Sequence, residues 1–62
     1  MVTMQVIHTL LQRVNFPARK DDIIEQMRGM DAPEAVIDRL RQLPENYYGS
    51  TDSVMDALRG QE

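Results

Sequence analysis

Residues 14–24 read Val-Asn-Phe-Pro-Ala-Arg-Lys-Asp-Asp-Ile-Ile, and they divide a first helix from a second. Pro17 disfavours a helical conformation at Phe16, because the proline ring clashes with the residue before it. A helix that arrives from the N-terminal side must therefore end just before this pair. Asp21 and Asp22 then fall in the first turn of a new helix, where the helix dipole favours negative charge. The Phe-Pro pair is thus predicted to form the corner between two helices.

The same signals continue on both sides of this corner and divide the chain into four helical segments. Apolar residues recur three or four positions apart within each segment, as in a helix that buries one face. We predict helices over residues 4–14, 20–30, 33–43 and 51–59. Thr3 and Ser50 offer capping hydroxyls, Pro33 suits a first helical position with Asp31 or Ala32 as its cap, and residues 45–49 are predicted to be a loop.

Each helix has about ten residues, and an isolated helix of that length is unstable in water. The four helices must therefore share one core, and the predicted fold is all-α, a compact single domain of four short helices over residues 1–62. In the first helix, Val6, Leu10 and Val14 repeat at intervals of four and define the predicted inward stripe. The full predicted core is Val6, Leu10, Val14, Phe16, Ile23, Ile24, Met27, Val36, Ile37, Leu40, Leu43, Tyr48, Val54 and Leu58.

Composition narrows the class of protein. The 62 residues include no cysteine, which excludes disulfides, and one histidine. Seven basic residues face ten acidic ones, giving a net charge of −3, whereas a nucleic-acid-binding domain normally has a basic excess. No stretch approaches the roughly 20 apolar residues of a membrane span, and the first eleven residues lack the basic cluster of a signal peptide. We therefore expect a cytoplasmic protein without membrane contact.

The residues that could perform chemistry are isolated from one another. His8 has no serine or acidic residue spaced to work with it as a catalytic set. Asp21 and Asp22 are adjacent on a helix and so do not face each other as a metal pair would. The glycines are scattered, and a chain this short has little volume for a ligand pocket. We expect no catalysis, no cofactor, no metal and no small-molecule substrate.

Three residues are candidates for binding a protein partner: Tyr47, Met30 and Arg19. Of the two adjacent tyrosines, Tyr48 is predicted to fill the core, which leaves Tyr47 exposed as an interface anchor or a base-stacking platform. Met30 lies next to a helix end and has an adaptable side chain. The leading hypothesis is a non-catalytic interaction module that binds another protein or itself.

The alternative hypothesis is a DNA- or RNA-binding domain, because short helices joined by tight turns are compatible with a helix-turn-helix arrangement. Its candidate phosphate contacts are the basic residues Arg19, Lys20, Arg39, Arg41 and Arg59. Arg19 and Lys20 precede a helix N-terminus, where free backbone N–H groups attract phosphate. The acidic net charge counts against this hypothesis.

Many of these residues also form a familiar pattern. It comprises Phe16-Pro17-Ala18, Lys20-Asp21, Ile23-Ile24, Ala32-Pro33, Val36-Ile37, Leu40, Leu43-Pro44, Tyr48, Ser50, Val54 and Ala57. This order and spacing resembles a small bacterial family, domain of unknown function 2795. The chain departs from that pattern at Arg19, where serine or threonine is frequent, and at Thr51, where proline is frequent. The resemblance implies a compact helical domain and transfers no functional residue, because no activity is attached to the family.

Overall fold

Four helices and a two-stranded ribbon follow one another along residues 3–61, which are the residues that this computed structural model describes. In chain order the elements are α1 (Met4–Leu11), β1 (Ala18–Arg19), α2 (Lys20–Gly29), α3 (Glu34–Arg41), β2 (Tyr47–Tyr48) and α4 (Thr51–Arg59). The four helices are present as predicted, but α1 ends three residues before the predicted end at 14 and α3 two residues before the predicted end at 43. Each of these helices closes in a tight turn whose N–H groups donate to carbonyls three residues back, which ends the α-helical pattern. The prediction of an all-α fold is wrong in one respect, because β1 and β2 form a small sheet. None of the helices in this part of the chain has the length and apolar character of a membrane span.

Two of the predicted helix starts are confirmed in atomic detail. The Thr3 hydroxyl accepts a hydrogen bond from the Val6 N–H at 3.3 Å, and the Ser50 hydroxyl accepts one from the Ser53 N–H at 3.2 Å. Each bond satisfies a backbone donor that has no partner inside its own helix.

The start of α3 is one residue later than predicted. Pro33 is the N-cap residue, with φ −56° and ψ 144°, and the helix begins at Glu34. Asp31 and Ala32 are therefore not the cap. The reason is that proline fixes φ but not ψ, so an extended ψ can make it the last non-helical residue as readily as the first helical one.

The inward stripe of α1 differs from the prediction. Ile7 and Leu11 are buried, at 1% and 0% exposure, whereas Val6 is 41% exposed and Leu10 is only partly buried. The helix ends in a tight turn in which the Val14 N–H donates to the Leu11 carbonyl at 3.0 Å. Val14 therefore lies three positions after the buried residue Leu11, not four positions after one. Counting back from it in intervals of four leads to the wrong face of the helix.

The rest of the core is close to the predicted one. Phe16, which precedes a cis peptide bond to Pro17, and Ile24 are partly buried, not fully buried. Ala18 and Met55 are buried although the predicted core omits them. The observed core is Ile7, Leu11, Val14, Ala18, Ile23, Met27, Val36, Ile37, Leu40, Leu43, Tyr48, Val54, Met55 and Leu58.

The ribbon joins the α1–α2 connection to the α3–α4 connection. β1 and β2 are antiparallel, with Ala18 opposite Tyr48 and Arg19 opposite Tyr47. The prediction of a loop over residues 45–49 is therefore wrong for Tyr47 and Tyr48, which form β2. Strands of two residues are too short to show the alternation of apolar and polar side chains that identifies a strand in a sequence.

The connection between α2 and α3 is a tight reversal with one residue in the left-handed region. Asp31 has φ 57°. Its N–H donates to the Arg28 carbonyl at 3.1 Å, and the Ala32 N–H donates to the Met27 carbonyl at 3.0 Å. This pair of bonds is the Schellman motif, in which the left-handed position is usually glycine. Here an aspartate occupies it.

Candidate interaction surfaces

The ribbon brings two of the three predicted partner-binding residues together. Arg19 and Tyr47 are directly opposite each other in the antiparallel pair, so their side chains project from the same face. Both side chains are exposed. Tyr47 is 60% exposed, and within residues 3–61 Val6 is the other large hydrophobic residue that is exposed. The Arg19 side chain forms no hydrogen bond or ion pair within the same residues. We call this pair the ribbon surface.

The backbone beneath the ribbon surface is held firmly. Tyr48 is buried on the other face of the ribbon, and its hydroxyl accepts a hydrogen bond from the Glu45 N–H at 3.0 Å. The Lys20 N–H donates to the Asn46 carbonyl at 2.9 Å, and its ammonium donates to the Leu43 carbonyl at 3.2 Å. These hydrogen bonds and the burial of Tyr48 hold the backbone that carries Arg19 and Tyr47 in place. The predicted burial of Tyr48 and the predicted exposure of Tyr47 are confirmed.

Met30, the third predicted partner-binding residue, lies elsewhere. It is the C-cap residue of α2 and is partly buried against the core. Arg19 is the N-cap residue of the same helix, and a helix of ten residues is about 15 Å long. The structure thus separates Met30 from the ribbon surface by the length of α2.

Two of the five residues in the predicted phosphate-binding set donate to backbone carbonyls, one near the end of a helix and one just beyond it. Lys20 donates to the Leu43 carbonyl beyond the end of α3, as described above. The Arg39 guanidinium donates to the Leu58 carbonyl near the end of α4 at 3.4 Å. Carbonyl groups at a helix C-terminus lack partners within the helix and attract positive charge. Both side chains therefore have an internal structural role.

Two more of these residues form exposed ion pairs. Arg41 lies 3.0 Å from Asp38 and Arg59 lies 3.1 Å from Asp56, each measured from guanidinium nitrogen to carboxylate oxygen. Such exposed pairs contribute little to stability, about 0–1 kcal/mol, but they offset the positive charge locally. Of the five basic residues, Arg19 alone projects without such a partner within residues 3–61.

His8 lies in a shallow groove between α1 and α4. The residues that line this groove are Met4, Gln5, His8, Asp52, Met55 and Arg59. Asp21 and Asp22 are exposed in the first turn of α2, as predicted. Within residues 3–61, no three potential histidine, cysteine or carboxylate ligands lie close enough together to hold a metal ion.

The outward face of α1 is a surface that the sequence reasoning did not identify as a binding candidate. Val6 and Leu10 lie there with Gln5 and Thr9 around a shallow depression. Between Met4 and Leu11 the helix contains no acidic residue, lysine or arginine, and Val6 and Leu10 make part of its solvent side apolar. The signal was present in the sequence, because apolar residues cover more of this helix than one inward stripe requires.

Comparison with known proteins identifies the family. The sequence profile described as protein of unknown function (DUF2795) matches residues 2–59, so the chain belongs to that family and the resemblance stated from the sequence is confirmed. No curated protein and no solved structure matches the chain significantly.

Proposed function

We propose that this chain is a non-catalytic, cytoplasmic interaction module that binds a protein partner through the ribbon surface. The observation that carries the proposal is the exposed pairing of Arg19 with Tyr47 on a ribbon whose opposite face is buried. Tyrosine and arginine are enriched among the few residues that dominate binding energy at protein interfaces. An aromatic ring and a guanidinium side by side suit a partner segment that presents a carboxylate next to an apolar side chain.

The hydrogen bonds that hold the two strands in place support the same proposal. Binding costs less free energy when the contacting residues are already held in place, since fewer side-chain and backbone motions are lost. The hydrogen bonds of Tyr48 and Lys20 fix the strands on which the pair is carried. The partner would therefore meet a preformed surface.

The charge distribution favours a protein over a nucleic acid as the partner. Four of the five basic residues in the nucleic-acid hypothesis contact carbonyls or carboxylates, and the chain has a net charge of −3. Nucleic-acid binding depends strongly on positive charge that is available to phosphates. Little of the positive charge is therefore available to phosphates, which supports a protein partner.

The test is affinity capture from lysate with and without nuclease, comparing the wild-type chain with Tyr47→Ala and Arg19→Ala. We expect both substitutions to reduce recovery of the same protein at least tenfold, in line with a cost of about 1.4 kcal/mol or more for a dominant contact. Tyr47→Phe retains the ring and should retain most of the binding. Arg13→Ala removes another exposed arginine and should have no effect.

Two results would contradict the proposal. Recovery that is lost with nuclease and falls steeply with salt would instead support nucleic-acid binding. Equal recovery by the wild type and both alanine variants, with unchanged circular dichroism, would show that the ribbon surface is not the binding site.

A further inference from the structure

We infer that the partner binds as an extended peptide segment that adds a third strand to the outer edge of β2. The inference rests on the proposed function and deepens it, because it states how the partner of the ribbon surface is held. Its basis is the backbone of Tyr47, which the ribbon leaves unpaired, beside the Arg19 guanidinium. The segment carries a carboxylate on the face that Tyr47 and Arg19 share.

The hydrogen bonds of the ribbon fix the direction in which the backbone of Tyr47 points. The Lys20 N–H donates to the Asn46 carbonyl at 2.9 Å, one position beyond the Arg19–Tyr47 pair on each strand. In an antiparallel ladder, a bond in this position flanks a pair of residues that do not hydrogen-bond to each other. The N–H and C=O groups of Tyr47 therefore point away from β1, toward the outer edge of β2.

These two backbone groups are available to a partner. Neither forms a hydrogen bond across the ribbon or with another loop within residues 3–61. Asn46 and Gly49 beside Tyr47 are exposed, and a Cβ atom at Gly49 would meet nothing within 4 Å apart from its chain neighbours. A residue on an added strand can exchange two hydrogen bonds with such an edge residue, which is the usual way that a sheet edge binds a peptide.

The outer edge of β1 does not offer the same pair of groups. Pro17 has no N–H and therefore cannot donate to an added strand. Arg19 is the N-cap residue of α2, and the carbonyl of an N-cap residue accepts the first hydrogen bond of its helix. Only β2 presents a donor and an acceptor on one edge residue, so the partner segment approaches from that side.

The Arg19 guanidinium sets the charge that the segment carries. The residue that pairs with Tyr47 projects its side chain from the same face as Tyr47. Its Cα atom would lie about 5.5 Å from that of Tyr47, which is about 4.5 Å from that of Arg19, so a glutamate can reach the guanidinium past the aromatic ring. Asp21 and Asp22 are exposed in the next turn and would repel a strongly acidic segment. One carboxylate among apolar residues is therefore the best match.

The first test is selection of short random displayed peptides on the wild-type chain, followed by NMR titration with the best of them. The selected peptides should share one acidic position and should have β-branched or aromatic residues around it. Replacing the acidic residue of the best peptide by lysine should weaken binding at least tenfold, because a charge-assisted hydrogen bond is lost and like charges meet. Arg19→Ala should remove most of that difference between the two peptides.

The second test addresses the backbone, with all side chains retained. Chemical synthesis can place a methyl group on the Tyr47 backbone nitrogen, which removes the outward donor and obstructs the edge of β2. Affinity for the selected peptide should fall at least tenfold. The matched control is the same change at Arg19, whose N–H points to the edge of β1, and affinity should then stay within about threefold of wild type.

A measurement on the unmodified chain tests the same hydrogen bond without any risk to the fold. In the wild type, the Tyr47 N–H should exchange with solvent at least tenfold more slowly when the selected peptide is bound. Unchanged exchange at saturating peptide would overturn strand addition. So would selected peptides with no shared acidic position, or pairing of two copies through β2 when peptide is absent.

The variants also distinguish failure of this inference from failure of the proposed function. If Tyr47→Ala and Arg19→Ala weaken peptide binding but N-methylation of Tyr47 does not, the ribbon surface is the site and strand addition is wrong. If the wild type and both alanine variants bind the peptide equally, the ribbon surface is not the site and both proposals are wrong.

Discussion

Asp31 occupies a backbone conformation that glycine adopts at lower cost, and Asp31→Gly should stabilise the protein. At φ 57° a side chain is crowded against its own backbone, at a cost of about 1–2 kcal/mol for most residues. Glycine avoids that crowding but loses about 0.5–1 kcal/mol through its greater freedom in the unfolded chain. Subtracting the second range from the first predicts an increase of about 0–1.5 kcal/mol in the free energy of unfolding, with a central value of about 0.7 kcal/mol.

The measurement is urea unfolding followed by circular dichroism. For a domain this small the free energy of unfolding falls by about 1 kcal/mol per molar urea, so the midpoint should rise by about 0.7 M. Because the Schellman bonds involve backbone atoms only, the substitution should leave them intact. An unchanged slope of the transition would show that the folded and unfolded states expose the same surface as before.

Asp31→Ala is the matched control, because it removes the carboxylate and keeps the Cβ atom. Alanine tolerates the left-handed region less well than aspartate, so this variant should be no more stable than the wild type. If the alanine variant gained as much stability as the glycine variant, the carboxylate and not the backbone would be the source. The conformational argument would then be refuted.

Three other substitutions test the packing and the caps through the same unfolding measurement. Ile7→Ala should cost about 2–5 kcal/mol because the side chain is buried, and Val6→Ala, one position away but exposed, should cost much less; similar losses would contradict the observed phase of α1. Lys20→Met, which removes the ammonium donor to the Leu43 carbonyl, should cost about 1 kcal/mol. Ser50→Ala should cost a similar amount, about 1 kcal/mol, through loss of the α4 cap, and no loss would mean that water replaces the hydroxyl.

The number and position of the helices could be predicted from the sequence because each helix carries its own signals. Thr3 and Ser50 are capping residues, and Gly29 is the last residue of α2. These effects depend on neighbours within one or two turns. They are therefore visible in the linear sequence without knowledge of the tertiary structure.

The orientation of α1 could not be predicted in the same way. Two apolar stripes run along this helix, and the choice between them depends on the tight turn that follows Leu11. The turn places Val14 three residues after the inward residue Leu11, whereas the prediction assumed a spacing of four. This difference of one residue shifts the predicted inward face of α1 by about 100° around the helix. The error placed Val6 and Leu10 in the core instead of Ile7 and Leu11, and so it also concealed an exposed apolar surface.

The candidate sites were only partly predictable for a related reason. Arg19 and Tyr47 were each identified as surface residues, but their juxtaposition depends on pairing between distant segments. No local pattern encodes a pair of two-residue strands. The internal roles of Lys20 and Arg39 also depend on tertiary contacts, and a count of basic residues treats them as available for phosphate.

The pairing of β1 with β2 has a consequence for the order of folding. These strands flank α2 and α3, and α2 packs mainly against α3, so residues 18–48 close on themselves without either terminal helix. Contacts between segments near in sequence form fastest, since less chain entropy is lost in bringing them together. We expect residues 18–48, with α2 packed on α3 and β1 paired with β2, to be formed in the folding transition state, and α1 and α4 to pack onto them afterwards. Native-state hydrogen exchange should then be fastest in the two terminal helices.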